Sequence, residues 1–407
     1  MSLSGVWVRV LIVWTTALMS AGSARAGERL SFDSRNYRVT TTLDRREAES
    51  LASHMDAVFE EYARRFASFK VRNRSRADLY LFRSMDEYNR FLADAGYDGR
   101  NTAGMFYSGR SGTGLAAFVQ GQTRAELLHT LQHEGFHQFA FMRIGAALPP
   151  WANEGLAEWF GQAKIVRGSL VTGLAEARRV AAVKKRVTEG KAWGFGELLG
   201  MSNDRWNARV NAGDARAGLL YDQSWSIVQF IIHGESGKYE PLLTGYLHAL
   251  ADGKGPDAAL RAAFGDDLAE FERAWRAFID GLRPDPLSTA ADRLDFYAQG
   301  LRGLRTKGKD PASFDELRRT LTDAGFRLAR RAHGVREEVS ASDPGMFDPP
   351  PADDPVRKTS WEFTAGKDGA PPGVRTRGLK VDVRLAWVKR TDPTGRDIAW
   401  DPEIRFE

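Results

Sequence analysis

The sequence predicts an α+β protein that is predominantly helical. Strand-like alternation is confined to short segments within the first 120 residues and near the C-terminal end. Apolar residues at helical spacing dominate from about 123 to 283. At 407 residues the chain can bury one large core and adds smaller units to it. A composition of 43% hydrophobic and 27% charged residues is that of a globular protein.

Along the chain, "GVWVRVLIVWTTALM" (5–19) is apolar apart from Arg9, and Ala24-Arg25-Ala26 has the small-x-small form of a signal-peptidase site. Residues 1–26 are therefore expected to be a cleavable signal peptide, cut after Ala26, leaving a secreted or periplasmic protein. The apolar run after Arg9 is about ten residues, short of the roughly 20 a spanning helix needs. No membrane span is expected once the signal is removed, and a retained anchor is the alternative.

Residues 28–42, including "YRVTTTL", read as a strand. A helix follows, with Leu51, Met55, Val58, Phe59, Tyr62 and Phe66 on one face. "ADLYLF" is a strand, and Ser84 with Glu87 opens the next helix as a capping box. "AGMFYSGRSGTGLAAFVQ" reads as two short strands around a Gly-Ser turn; it lacks the G-K-[ST] of a phosphate loop. One helix begins near Thr123, and another follows Pro149-Pro150. Residues 170–283 read as mostly helical, and "RPDPLST" (283–289) as a boundary. Residues 286–340 are expected to be a helical accessory segment, and 341–407 a Pro-rich linker closed by a terminal β-hairpin.

Several chemistries are excluded. The 58 basic and 53 acidic residues are mixed along the chain, and Lys184-Lys185-Arg186 reads as a solvated helix face, so no nucleic-acid partner is expected. With no cysteine there is no disulfide, thiol nucleophile or thiolate metal site. No serine sits in a G-x-S-x-G elbow.

The chemistry that remains lies in "LLHTLQHEGFHQFAF" (127–141). On a helix His133 and His137 lie one turn apart on one face and can converge on one Zn²⁺. Glu134 reaches the open side, where it can act as general base toward a zinc-bound water. Apolar flanks place the helix in the interior. A third ligand is needed, and Glu154 is the first carboxylate after the motif, near the start of a helix that can fold back. Glu158, one turn on, is better placed to accept a hydrogen bond from a ligand imidazole, with ligation as its alternative role. His129 and His233 read as structural, His129 also as able to line the cleft, and Trp151 and Trp159 as packing anchors.

"HEGFH" with sixteen residues between His137 and Glu154, then "PPWANEGLAEWF", resembles the gluzincin metallopeptidases, in particular the bacterial peptidase MA-like domains. The resemblance covers roughly residues 40 to 283. It implies a zincin-like catalytic domain over 27–285, with a small mixed sheet beside the active-site helix and one zinc per chain. His133, His137 and Glu154 would be its ligands and Glu134 its base. Tyr221, in "AGLLYDQSWS", stands where similar domains have a tyrosine that donates to the developing oxyanion. The glutamate of the aminopeptidase G-x-M-E-N segment is missing from "AGMFYSG", so endopeptidase action on a peptide or protein substrate is favoured. The alternatives are an inactive metal-holding relative serving as a binding or envelope-assembly module, and a helical scaffold whose motif is accidental.

Overall fold

The computed structural model describes residues 29–69, 75–100, 102–109, 112–145, 148–212, 217–332, 335–391 and 397–407. The expected signal peptide lies outside the described residues. The fold is α+β, roughly half helical, with small sheets. Among the described residues, no helix is long and apolar enough to cross a membrane.

The N-terminal part contains β1 (Leu30–Asp33), β2 (Tyr37–Thr41), α1 (Arg45–Arg65), β3 (Ala77–Phe82), α2 (Met85–Asp94), β4 (Gly104–Gly109) and β5 (Gly112–Phe118). The single strand expected around 28–42 is in fact two, turned at Ser34, whose N–H reaches the Tyr37 carbonyl. The sheet runs β1-β2-β3-β5-β4, with β2, β3 and β5 parallel and both edges antiparallel. Gly109 pairs with Gly112, so β4 and β5 form the expected hairpin; its tip, 110–111, lies outside the described residues. Alternation of side chains gives the sheet two apolar faces. One packs Leu79, Leu81 and Leu115 against α1 and the helix that follows β5; the other packs Phe82 and Phe118 against Tyr88 and Leu92 of α2.

Then come α3 (Arg124–Arg143), α4 (Pro150–Gly161), the small hairpin β6 (Lys164–Val166) and β7 (Ser169–Val171), and a helical half. That half is α5 (Ala177–Thr188), α6 (Phe195–Leu199), α7 (Asn203–Asn211), α8 (Ala217–His233), α9 (Glu240–Ala251), α10 (Pro256–Phe264) and α11 (Ala269–Gly281). Its core is aromatic, with Trp151, Trp159, Trp225 and Trp275 all fully buried. Trp151 and Trp159 are thus the packing anchors the sequence suggested.

Beyond it are α12 (Pro286–Arg305), α13 (Phe314–Asp323), β8 (Arg327–Ala332), β9 (Val335–Ser340), β10 (Ser360–Thr364), β11 (Gly373–Arg377), β12 (Val383–Thr391) and β13 (Asp397–Phe406). This corrects the sequence reading twice. The segment expected to be helical over 286–340 is helical only to Asp323: Gly325, at φ 57°, follows α13, and β8 pairs with β9 as a hairpin. The stretch taken as linker contributes two further strands, so the terminal hairpin is half of a four-stranded antiparallel sheet. Helices and sheet share one core around Leu294, Tyr297, Leu301, Val374 and Leu385. Asp285 caps α12 through the N–H groups of Leu287 and Ser288, where the boundary was expected.

Candidate metal centre

The centre is built on α3 and α4. Thr123 and Glu126 form a capping box that starts α3, and the N-terminal charge of a helix favours such an acidic partner. Pro150 starts α4 at a position where its missing N–H costs nothing. Two contacts fix how the helices lie together. The buried Gln132 amide of α3 donates to the carbonyls of Phe160, Gly161 and Ala163 at 2.9, 3.0 and 3.1 Å, capping the end of α4. Tyr62 of α1 donates to the Gln132 carbonyl. Gly135, inside HEGFH, faces α1: a Cβ there would lie 2.6 Å from Met55 Cε.

This packing brings three atoms together. His133 Nε2 and His137 Nε2 are 3.0 Å apart, and Glu154 Oε2 lies 3.3 Å from the first and 3.5 Å from the second. A tetrahedral zinc with ligands at about 2.0–2.1 Å sets its donor atoms about 3.3–3.4 Å apart. The side chains are 12% exposed for each histidine and 17% for Glu154, so the group is largely buried yet open to solvent.

The other imidazole nitrogens are engaged. His133 Nδ1 lies 3.1 Å from Glu158 Oε1, and His137 Nδ1 lies 3.1 Å from Asn153 Oδ1. An Nδ1–H donated to each oxygen leaves both Nε2 lone pairs aimed into the triangle, which suits a cation between them. The electrostatics agree. Burial alone would lower both histidines, but Glu158 drives His133 well above its ordinary value and Glu154 raises His137. Burial alone would raise Glu154, yet His137 and His133 hold it well below the usual carboxylate range. The triangle attracts positive charge, whether a proton or a metal.

Glu134 stands outside the triangle, its Oε2 accepting the N–H of Phe106 on β4 at 2.7 Å. Tyr221, on α8, is edge-on to Trp206 at 5.4 Å. Burial, and then the negative charge of Glu154, push its phenol up, so it remains a protonated donor. Of the sequence-selected residues, His133, His137 and Glu154 come together in one triangle, and the charges of Glu154 and Glu134 reach the Tyr221 phenol. His233 stacks on Trp159 at 5.9 Å.

A second grouping, His129 with His133 and Glu158, also has its ligand atoms within 4.8 Å of one another. There Arg179 Nη2 already lies 2.7 Å from Glu158 Oε2, so that oxygen has its cation. Burial lowers His129 to about 4 despite Glu158. The first triangle is the better metal site.

Sequence reasoning missed Asn153, Arg179 and the Phe106 N–H. Asn153 lies in "PPWANEGLAEWF", where nothing in the residue pattern marks it as a partner of His137. Arg179 lies on the buried stripe of α5 with Val180 and Val183, and an arginine inside an apolar stripe was the available signal. A backbone N–H leaves no trace in sequence.

Compared with known families, residues 127–244 match the profile of one described as "Protein of unknown function (DUF1570)". The match covers less than a third of the chain but includes His133, Glu134, His137, Glu154 and Tyr221. Among curated proteins, nothing matches the chain.

Proposed function

We propose that the protein is a zinc-dependent metallopeptidase of the zincin-like, gluzincin type, secreted or periplasmic, acting as an endopeptidase on peptides or proteins. The observation that carries the reading is the triangle of His133 Nε2, His137 Nε2 and Glu154 Oε2, with Glu134 beside it. The donor set of two imidazoles and a carboxylate, with Glu158 and Asn153 behind the histidines, suits zinc and leaves a fourth position open.

When bound, zinc would supply Lewis-acid polarisation and make water acidic enough to lose a proton near neutral pH. The chain's residues do the rest. Glu134, oriented by the Phe106 N–H, takes the proton of the attacking water and delivers it to the leaving amine. Tyr221 donates to the oxygen on which charge develops. The edge strand β4 borders the site, where main-chain hydrogen bonds can hold an extended peptide.

The test is cleavage of an unfolded protein substrate by zinc-loaded wild type and Glu134→Gln. The amide keeps an acceptor for Phe106 but cannot take a proton. Cleavage should fall by about 10²–10⁴-fold with zinc content unchanged. A wild type that holds zinc and cleaves no peptide across a broad substrate panel would instead favour the inactive, metal-holding binding module.

A further inference from the structure

We propose that Arg179 is a positioning residue for this centre: its guanidinium fixes the Glu158 carboxylate so that one oxygen faces His133 Nδ1. The proposal rests on the metal reading above and extends it to a helix outside the ligand pair.

Glu158 divides its two oxygens between partners on different elements. Oε1 lies 3.1 Å from His133 Nδ1, and Oε2 lies 2.7 Å from Arg179 Nη2. A carboxylate held at both ends cannot rotate, so the imidazole hydrogen bond has a single direction. Arg179 is itself anchored: its Nε is 3.4 Å from Asp222 Oδ1 and 4.0 Å from Glu176 Oε2, and its guanidinium lies 5.5 Å from the Trp225 ring centre. Three elements meet at this one side chain: α4 through Glu158, α5 through Arg179, and α8 through Asp222, the neighbour of Tyr221.

Burial makes the arrangement notable. Glu158 is fully buried and Arg179 is 1% exposed. Among the described residues, Arg179 is the one arginine or lysine in the buried interior. Buried ion pairs are seldom the cheapest way to fill a core, and an apolar pair of the same volume often serves stability as well. The use of this pair lies in direction: partners behind a ligand histidine orient its ring and set which nitrogen is left for the metal.

The experiment measures zinc affinity by chelator competition in the full chain for wild type, Arg179→Met, Arg179→Gln and Arg179→Lys. Thermal melting of each zinc-free preparation is recorded in parallel. Arg179→Met should weaken zinc binding by about 10–100-fold, and Arg179→Lys, which keeps the cation, should recover most of the loss. A folded Arg179→Met protein with zinc affinity within about twofold of wild type would overturn the proposal, including the case where only melting changes. If Arg179→Met does not fold, Arg179→Gln, a polar replacement without the charge, decides in the same assay: weakened zinc binding supports the proposal and wild-type affinity overturns it. A wild type that binds no zinc would fail the metal reading itself, an outcome distinct from either.

Discussion

Asn153 Oδ1 stands 3.1 Å from His137 Nδ1, one residue before Glu154 in the N-terminal half of α4. One short segment thus provides both a carboxylate at the front of the triangle and an orienting oxygen behind one of its histidines. Asn153→Ala should lower zinc affinity by about 10–100-fold while leaving the fold intact. Chelator competition on the purified variant checks this.

Gly155 follows Glu154 and lets α4 approach α8. A Cβ at Gly155 would lie 2.6 Å from the backbone oxygen of Ser224, which cannot swing away as a side-chain end could. Gly155→Ala should therefore destabilise the protein by about 1–3 kcal/mol or more, as overpacking does. It should also loosen the placement of Tyr221 relative to Glu154. Denaturant melting tests the first effect, and the cleavage rate at fixed zinc occupancy tests the second.

His54 gives a pH dependence whose sign can be worked out. Its Nε2 lies 2.7 Å from the Gln132 amide oxygen, and burial lowers it from the ordinary 6.5 to about 4 against that hydrogen bond. The unfolded chain therefore binds a proton near pH 6.5 that the folded chain refuses until about pH 4. Stability should fall as pH drops through that window, by about 3 kcal/mol from this residue alone. Replacing His54 with Gln should flatten that part of the curve, as measured by urea midpoints between pH 7 and 4.

Much of this was legible in the sequence, for physical reasons. The α1 residues Leu51, Met55, Val58 and Tyr62 are all buried, and the Ser84–Glu87 capping box forms as its spacing implied. The spacing of His133, His137 and Glu154 placed them together because one helix turn and one helical hairpin are rigid rulers. Where the reading failed, a local pattern was ambiguous or the partner was distant. β8 and β9, "RLARRA" and "VREEVS", carry charge at half their positions, so no period of two stands out. Arg179 meets Glu158 and Asp222 only through the packing of three helices, and no spacing along the chain encodes that.

The central claim is that His133, His137 and Glu154 hold one metal ion. Bound zinc per chain, measured in the purified protein and in Glu154→Ala, tests it most directly. The account predicts close to one zinc in the wild type and far less in the variant, with both proteins folded. No zinc in either, after zinc is supplied to folded protein, would contradict it. The HEGFH helix would then be an interior helix whose histidines are held by Glu158, Asn153 and Glu154 alone.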